Sequence, residues 1–128
     1  MKRSIHVFWH AQTYSALGDK TLLEHRNQGV WRPMVDIYEQ PDSITIVVDL
    51  PGVSRNAITV TAQPGYLSIT GTRPEVTPHN TRCVHLMEIP HGPFARDVKL
   101  PLGCDMTAIE ASYDQGCLRI RIPKEAQR

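Results

Sequence analysis

From Met34 onward the chain alternates apolar and polar residues with a period of two. Ile44, Ile46, Val48 and Leu50 face one way while Thr45, Val47 and Asp49 face the other, which is the pattern of a half-buried strand. The same alternation predicts strands over 57–62, with Ile58 and Val60 inward, and over 66–71, with Leu67 and Ile69 inward. Three more are expected at 94–100, 108–113 and 117–122; in the last, Leu118, Ile120 and Ile122 oppose Arg119 and Arg121, and Pro123 closes the run. Pro51-Gly52, Pro64-Gly65, Pro101 to Gly103 and Gln115-Gly116 punctuate the strands as turns. Short strands separated by turns, with no helix in the run, predict an all-β antiparallel sandwich.

One connection does not fit a simple meander. Roughly twenty residues lie between Gly71 and Phe94, more than the ~12–15 at which a loop becomes unusual. Its first half, RPEVTPHNT, carries Pro74 and Pro78 and cannot sit inside a sheet. Its second half, RCVHLMEI over 82–89, is strand-like. A strand held out on a proline-stiffened loop suits pairing with a sheet edge on another copy of the chain. Before Trp31 the alternation is lost, and residues 1–30 read as an N-terminal arm, partly disordered or weakly helical over 16–26.

Composition narrows the function. A chain of 128 residues suffices for one domain with a real core. Its 14 Lys and Arg against 13 Asp and Glu, with no basic stripe, argue against nucleic acid as a partner. Cys83, Cys104 and Cys117 are odd in number and lack CxxC spacing, which suits a reducing, cytoplasmic setting. His6, His10, Gln12 and Thr13 interrupt the apolar run that a secretory leader needs. No stretch approaches the ~18 apolar residues of a membrane span, so no stable membrane association is expected.

Candidate chemistry is sparse. GDKT at 18–21 has Thr13 where a phosphate loop needs its first glycine, and no GxSxG is present. His85, Glu88 and His91 are spaced by three, but Pro90 forbids a regular helix. On a strand His85 and Glu88 point to opposite faces, and His85 and His91 lie on the order of 20 Å apart. The cysteines read as packing or passively exposed groups, and Asp36, Glu39, Asp49 and Glu88 as solvated or ion-paired carboxylates. The expectation is a protein that is not an enzyme and uses no metal or cofactor.

Seven segments then fall in a familiar order: WRPMVDIYE (31–39), ITIVVDLPGV (44–53), AITVTA (57–62), YLSITGTR (66–73), MEIPHGPFARDVKLP (87–101), AIEASYDQG (108–116) and CLRIRIPK (117–124). Together they resemble the α-crystallin domain of the small heat-shock proteins, in its bacterial and plant form. The resemblance implies an immunoglobulin-like sandwich over 31–124 that dimerises by exchanging the strand on the long loop. It assigns Arg82, Val84, Leu86, Glu88 and Ile89 to the exchanged strand, and Val35, Ile37 and Glu39 to the edge that accepts it. Arg96 stands where the family carries an arginine near the dimer contact, in position for a charge-assisted pair with a carboxylate.

The resemblance also implies an ATP-independent holdase that binds partly unfolded proteins and prevents their aggregation under stress. Its partners would be a second copy of itself, unfolding client proteins and ATP-dependent refolding chaperones. In the arm, Phe8, Trp9, Tyr14, Leu17, Leu22 and Leu23 are the candidates for covering exposed apolar client surface, unless they fold onto the domain as a cap.

In the family a C-terminal Ile/Val-x-Ile/Val anchor docks in a groove between the strands that correspond to 57–62 and 108–113, lined here by Ile58, Val60, Ile109 and Ala111. Residues 125–128 carry no such anchor, which favours a homodimer or small oligomer. Ile5-His6-Val7 supplies an apolar-x-apolar triplet at the other end, with Ile5 and Val7 as candidate anchors. His79, His85 and His91 lie in or beside the long loop, where protonation would alter pairing. The competing reading is a β-sandwich co-chaperone or interaction module without strand exchange. A secreted adhesion sandwich would need a leader and paired cysteines.

Overall fold

The alternation along the chain is that of two sheets packed face to face. In a computed structural model, which describes residues 3–5, 7–9 and 29–126, nine strands form: β1 (Arg3–Ile5), β2 (Val7–Trp9), β3 (Val35–Glu39), β4 (Ser43–Asp49), β5 (Ile58–Gln63), β6 (Tyr66–Arg73), β7 (Gly92–Lys99), β8 (Glu110–Asp114) and β9 (Cys117–Pro123). One sheet runs β1-β8-β9-β4-β3 and the other β2-β5-β6-β7. All pairings are antiparallel except that of β2 with β5. The described residues contain no α-helix, only a 3-10 turn at Arg55–Ala57.

Register turns the local pattern into a core. In the first sheet Ile44, Ile46 and Val48 of β4 sit opposite Ile122, Ile120 and Leu118 of β9, and all six are buried. Thr45 and Val47 pair with Arg121 and Arg119 on the outer face. In the second sheet Val60 and Ala62 sit opposite Ile69 and Leu67, again with no exposure. Each large side chain buried in this way contributes about 1.5–3 kcal/mol, so the sandwich is held chiefly by apolar burial.

Two glycines are required by geometry. At the β8–β9 hairpin Gln115 and Gly116 both adopt positive φ, 50° and 77°, while Asp114 and Cys117 close the ladder. That is the twist-compatible two-residue turn that favours glycine. Gly71 in β6 lies opposite Phe94 of β7, and a Cβ there would collide with the Ala57 carbonyl oxygen and the Phe94 ring.

The structure departs from the sequence reading in three places. Residues 82–89 form no strand within one chain, because a strand is defined by a ladder partner and this segment finds none among the described residues of its own molecule. The flanking strands are longer than the apolar pattern alone suggests: β6 runs on to Arg73 and β7 starts at Gly92. Residues 3–5 and 7–9, within the expected arm, are strands; the helical potential over 16–26 lies outside the described residues.

Gly71→Ala is expected to cost ~1–3 kcal/mol through overpacking against Phe94. Urea unfolding would show it as a lower midpoint with an unchanged slope.

Candidate functional site

A sheet edge is a row of unpaired backbone donors and acceptors, so the site is built from the edges upward. β3 is the outermost strand of its sheet. Asp36, Ile37, Tyr38 and Glu39 on it are exposed, as is Met34 just before it. Tyr38 Oη donates to Asp36 Oδ2 at 3.2 Å, and this bond, with the nearby carboxylate charge, raises the phenol above its usual range. Glu39 accepts from Lys124 Nζ at 2.9 Å. Val35 is the partly buried member of the strand and packs on the core.

The second component is the connection over 74–91. It carries Val76, Val84, Leu86, Met87 and Ile89 in the open, with Leu86 77% exposed and Ile89 65% exposed. Arg82 and Glu88 are exposed too. Val76, Val84, Leu86 and Met87 line a shallow apolar cavity in the loop with His85 and His91. A run of large apolar side chains left in water is a feature that single copies of soluble proteins rarely carry.

The base of this loop is firmly held. Arg73, almost fully buried, donates through Nε and Nη2 to the carbonyl of Pro90 and through Nη1 to that of Pro51. Its guanidinium lies 4.3 Å from the centre of the Trp31 ring, a cation–π contact. Trp31 in turn donates from Nε1 to the Gly92 carbonyl at 3.1 Å and packs on Phe94 at 5.3 Å between ring centres. One arginine therefore ties the start of the loop to its end. Sequence reasoning singled out neither residue; the only signal was that Arg73 and Trp31 stand inside two of the family-like segments with no role assigned to them.

Arg96 shares the face of β7 that carries Phe94 and Val98 and donates from Nη1 to the Pro33 carbonyl at 3.3 Å. It thus holds the approach to β3 against the other sheet. Trp31 also bridges β7, through Trp31 N to Pro93 O and Ala95 N to Trp31 O. Within one chain, then, the bond from Arg96 to Pro33 is a structural one, made to a carbonyl rather than to a carboxylate.

The groove candidates come together at the opposite side of the sandwich. Ile58, Val60 and Ala111 are buried, and Ile109 packs on the same core. β1 pairs with β8, Ile5 opposite Ala111; β2 pairs with β5, Val7 opposite Val60. Val7 packs on the core and lines, with Met106, Thr107 and Ile109, a cavity of about 240 Å³. Of the client-binding candidates, Phe8 and Trp9 fall on the β2 backbone, while Tyr14, Leu17, Leu22 and Leu23 lie outside the described residues.

No group of three or more His, Cys, Asp or Glu among the described residues is arranged to hold a metal. Cys104 is buried and Cys83 exposed, with Cys83 Sγ 3.5 Å from His85 Nε2. Burial pushes the Cys104 thiol up, away from the reactive thiolate. No helix among the described residues is long and apolar enough to cross a membrane.

Residues 36–128 match the model of the Hsp20/alpha crystallin family. The chain is 31% identical over 103 residues to small heat shock protein C4 of Rickettsia felis, covering 80% of this chain and 63% of that protein. It is 31% identical to heat shock protein 16 of Schizosaccharomyces pombe, covering 80% of this chain and 73% of that one. The crystal structure of a small heat-shock protein from Xylella fastidiosa is similar with a TM-score of 0.69 and 38% identity, over 77% of this chain and 90% of that chain. The hspA structure from Xanthomonas axonopodis has a TM-score of 0.67 and 37% identity, over 73% and 94%. The chain thus spans under two thirds of the Rickettsia felis relative's length.

Arg73→Lys is expected to lower stability by ~2 kcal/mol, since one ammonium cannot serve both carbonyls and leaves one buried and unpaired. Limited proteolysis under native conditions would show faster cleavage within 74–91.

Proposed function

This chain belongs to the Hsp20/alpha crystallin family, and from that premise we propose that it is an ATP-independent holdase acting as a homodimer built by strand exchange. The observation that carries the reading is the coexistence, in one molecule, of an open β3 edge and an apolar segment over 82–89 without a ladder partner among the described residues. In the dimer, Arg82, Val84, Leu86, Glu88 and Ile89 of one copy add a strand beside Val35, Ile37 and Glu39 of the other. Backbone bonds then satisfy the edge, and alternate side chains leave water. The Arg73 clamp supports this by fixing where the loop departs and returns, so less ordering remains to be done on pairing. Arg96 lies beside the same approach to β3 and takes a carboxylate partner there.

Client capture needs no bond-making. Partly unfolded chains expose apolar surface and strand edges that pair with one another. Covering that surface gains ~25 cal/mol per Å² without a nucleotide. The arm residues Phe8, Trp9, Tyr14, Leu17, Leu22 and Leu23 supply apolar surface for the task, and captured clients pass to ATP-dependent refolding chaperones. Three free thiols support a cytoplasmic location.

Warming a heat-labile client with a stoichiometric amount of this protein and no nucleotide should suppress light scattering and give soluble complexes that elute together. Undiminished scattering would instead favour the interaction-module reading. Leu86→Asp should shift the mass from two chains to one in sedimentation, while leaving chain stability within ~0.5 kcal/mol as for an exposed site. A dimer of unaltered affinity would rule out the strand-exchange arrangement.

A further inference from the structure

The open β3 edge and the segment 82–89 each carry a side-chain pattern, and the two patterns fit in one register. On β3, Val35, Ile37 and Glu39 lie opposite Val48, Ile46 and Ile44 of β4 and so belong to the inner face. Asp36 and Tyr38 lie opposite Val47 and Thr45, which pair with Arg119 and Arg121 on the outer face. An added strand alternates in the same way. Val84 and Leu86 then turn inward with Arg82 and Glu88, while Cys83, His85 and Met87 turn outward; the other choice would place His85 inward.

Register follows from charge and apolarity. With the added strand antiparallel and Val84 facing Ile37, Leu86 faces Val35 and Arg82 faces Glu39 on the inner side. On the outer side Cys83 faces Tyr38, His85 faces Asp36 and Met87 faces Met34. A slip of two residues sets either Arg82 against Ile37 or Val84 against Glu39. Parallel pairing with Val84 beside Ile37 sets Leu86 beside Glu39; with Val84 beside Val35 it sets Glu88 beside Glu39, two like charges. Like charges across a rung destabilise, whereas opposite charges and apolar pairs stabilise, so the antiparallel arrangement wins.

Resting on the strand-exchange reading, we infer that a second copy docks in this antiparallel register, and that contact between His85 of one copy and Asp36 of the other tightens the dimer when His85 is protonated. Apolar burial supplies the affinity of such a contact, and charge selects its register. Both groups are exposed in the single chain. His85 Nε2 lies 3.5 Å from Cys83 Sγ, and Glu75 and His91 line the same loop cavity. Asp36 accepts from Tyr38 Oη at 3.2 Å, which leaves the carboxylate room for a further donor. Beyond Asp36 on the outer face come apolar Val47 and then Arg119, the latter two strand spacings or about 10 Å away. Glu39 and Lys124 pair with each other on the inner side. Asp36 is therefore the carboxylate set directly against His85. An ordinary imidazole titrates near about pH 6.5. Pairing with Asp36 favours the charged ring, so this contribution is present on the acid side and lost as pH rises.

Native Cys83 reports the register. Directly opposed residues on antiparallel strands lie within the Cα separation that a disulfide accepts. In the full chain with Cys117→Ser, the changes Tyr38→Cys, Asp36→Cys and Met34→Cys are made one at a time. Each variant is oxidised, and covalent dimers are read by mass spectrometry of the linked peptides. Tyr38→Cys should link to Cys83 of the other copy in preference to the other two. Preferred linking from Asp36→Cys, which reports a slipped or parallel strand, or from Met34→Cys, which reports a parallel one, would overturn the register. So would the lack of any link in a protein that sediments as a dimer.

Sedimentation at about pH 6 and about pH 8, on either side of the imidazole range, reads the contact between His85 and Asp36. Dimer affinity should be on the order of tenfold higher at the lower pH, about threefold for each of two symmetry-related pairs. Asp36→Asn and His85→Gln should each remove that difference. Equal affinity at both pH values, or a dependence that survives in Asp36→Asn, would overturn the contact. A chain that sediments as a monomer throughout would remove the strand-exchange reading and this inference with it. A dimer that Leu86→Asp dissociates, but that cross-links in another register, would remove this inference alone.

Discussion

An unpaired strand edge must be covered, and most of this molecule is arranged around that constraint. A β-sandwich has four edges, and each carries backbone groups that water satisfies only while no other strand is near. Here β1 and β2 add to β8 and β5 and become the edge strands on that side, and β7 is bridged by Trp31. Among the described residues nothing covers the outer side of β3. That open edge and the long apolar loop are complementary deficits, which is why the geometry points to a second copy rather than to a small ligand.

The exposed loop is anchored at its base. Arg73 does this with carbonyl acceptors and an aromatic face instead of a carboxylate. The choice suits a buried site, because guanidinium bonds to carbonyls and a stacked ring satisfy the charge without burying a second one. The same cluster, through Trp31 and Phe94, is continuous with the core. Loop position and sandwich stability are therefore coupled, whereas the tip of the loop, residues 82–89, is exposed.

Two surface ion pairs play a small part. The ion pairs Arg121–Asp42 and Lys124–Glu39 lie on the surface and contribute at most about 1 kcal/mol each. Apolar burial and backbone pairing carry both the fold and the proposed interactions. These are forces that do not depend on the identity of the partner's side chains, as the proposed capture of unfolded chains requires.

β4 to β9 were legible along the chain because a period of two is written locally in them, whereas β3 was marked only through the family resemblance and β1 and β2 were read as part of an arm. Ile44, Ile46 and Val48, or Leu118, Ile120 and Ile122, needed no neighbour to be recognised, and the proline-stiffened loop was legible from Pro74 and Pro78. What pairs with what emerged only in three dimensions. The addition of residues 3–5 and 7–9 to two different sheets, the clamp of Arg73 on Pro90 and Pro51, and the absence of a strand over 82–89 within one chain all depend on partners remote along the chain. Side-chain alternation reports a strand's readiness to pair; whether a ladder forms is settled by the backbone that reaches it, and no local pattern encodes that.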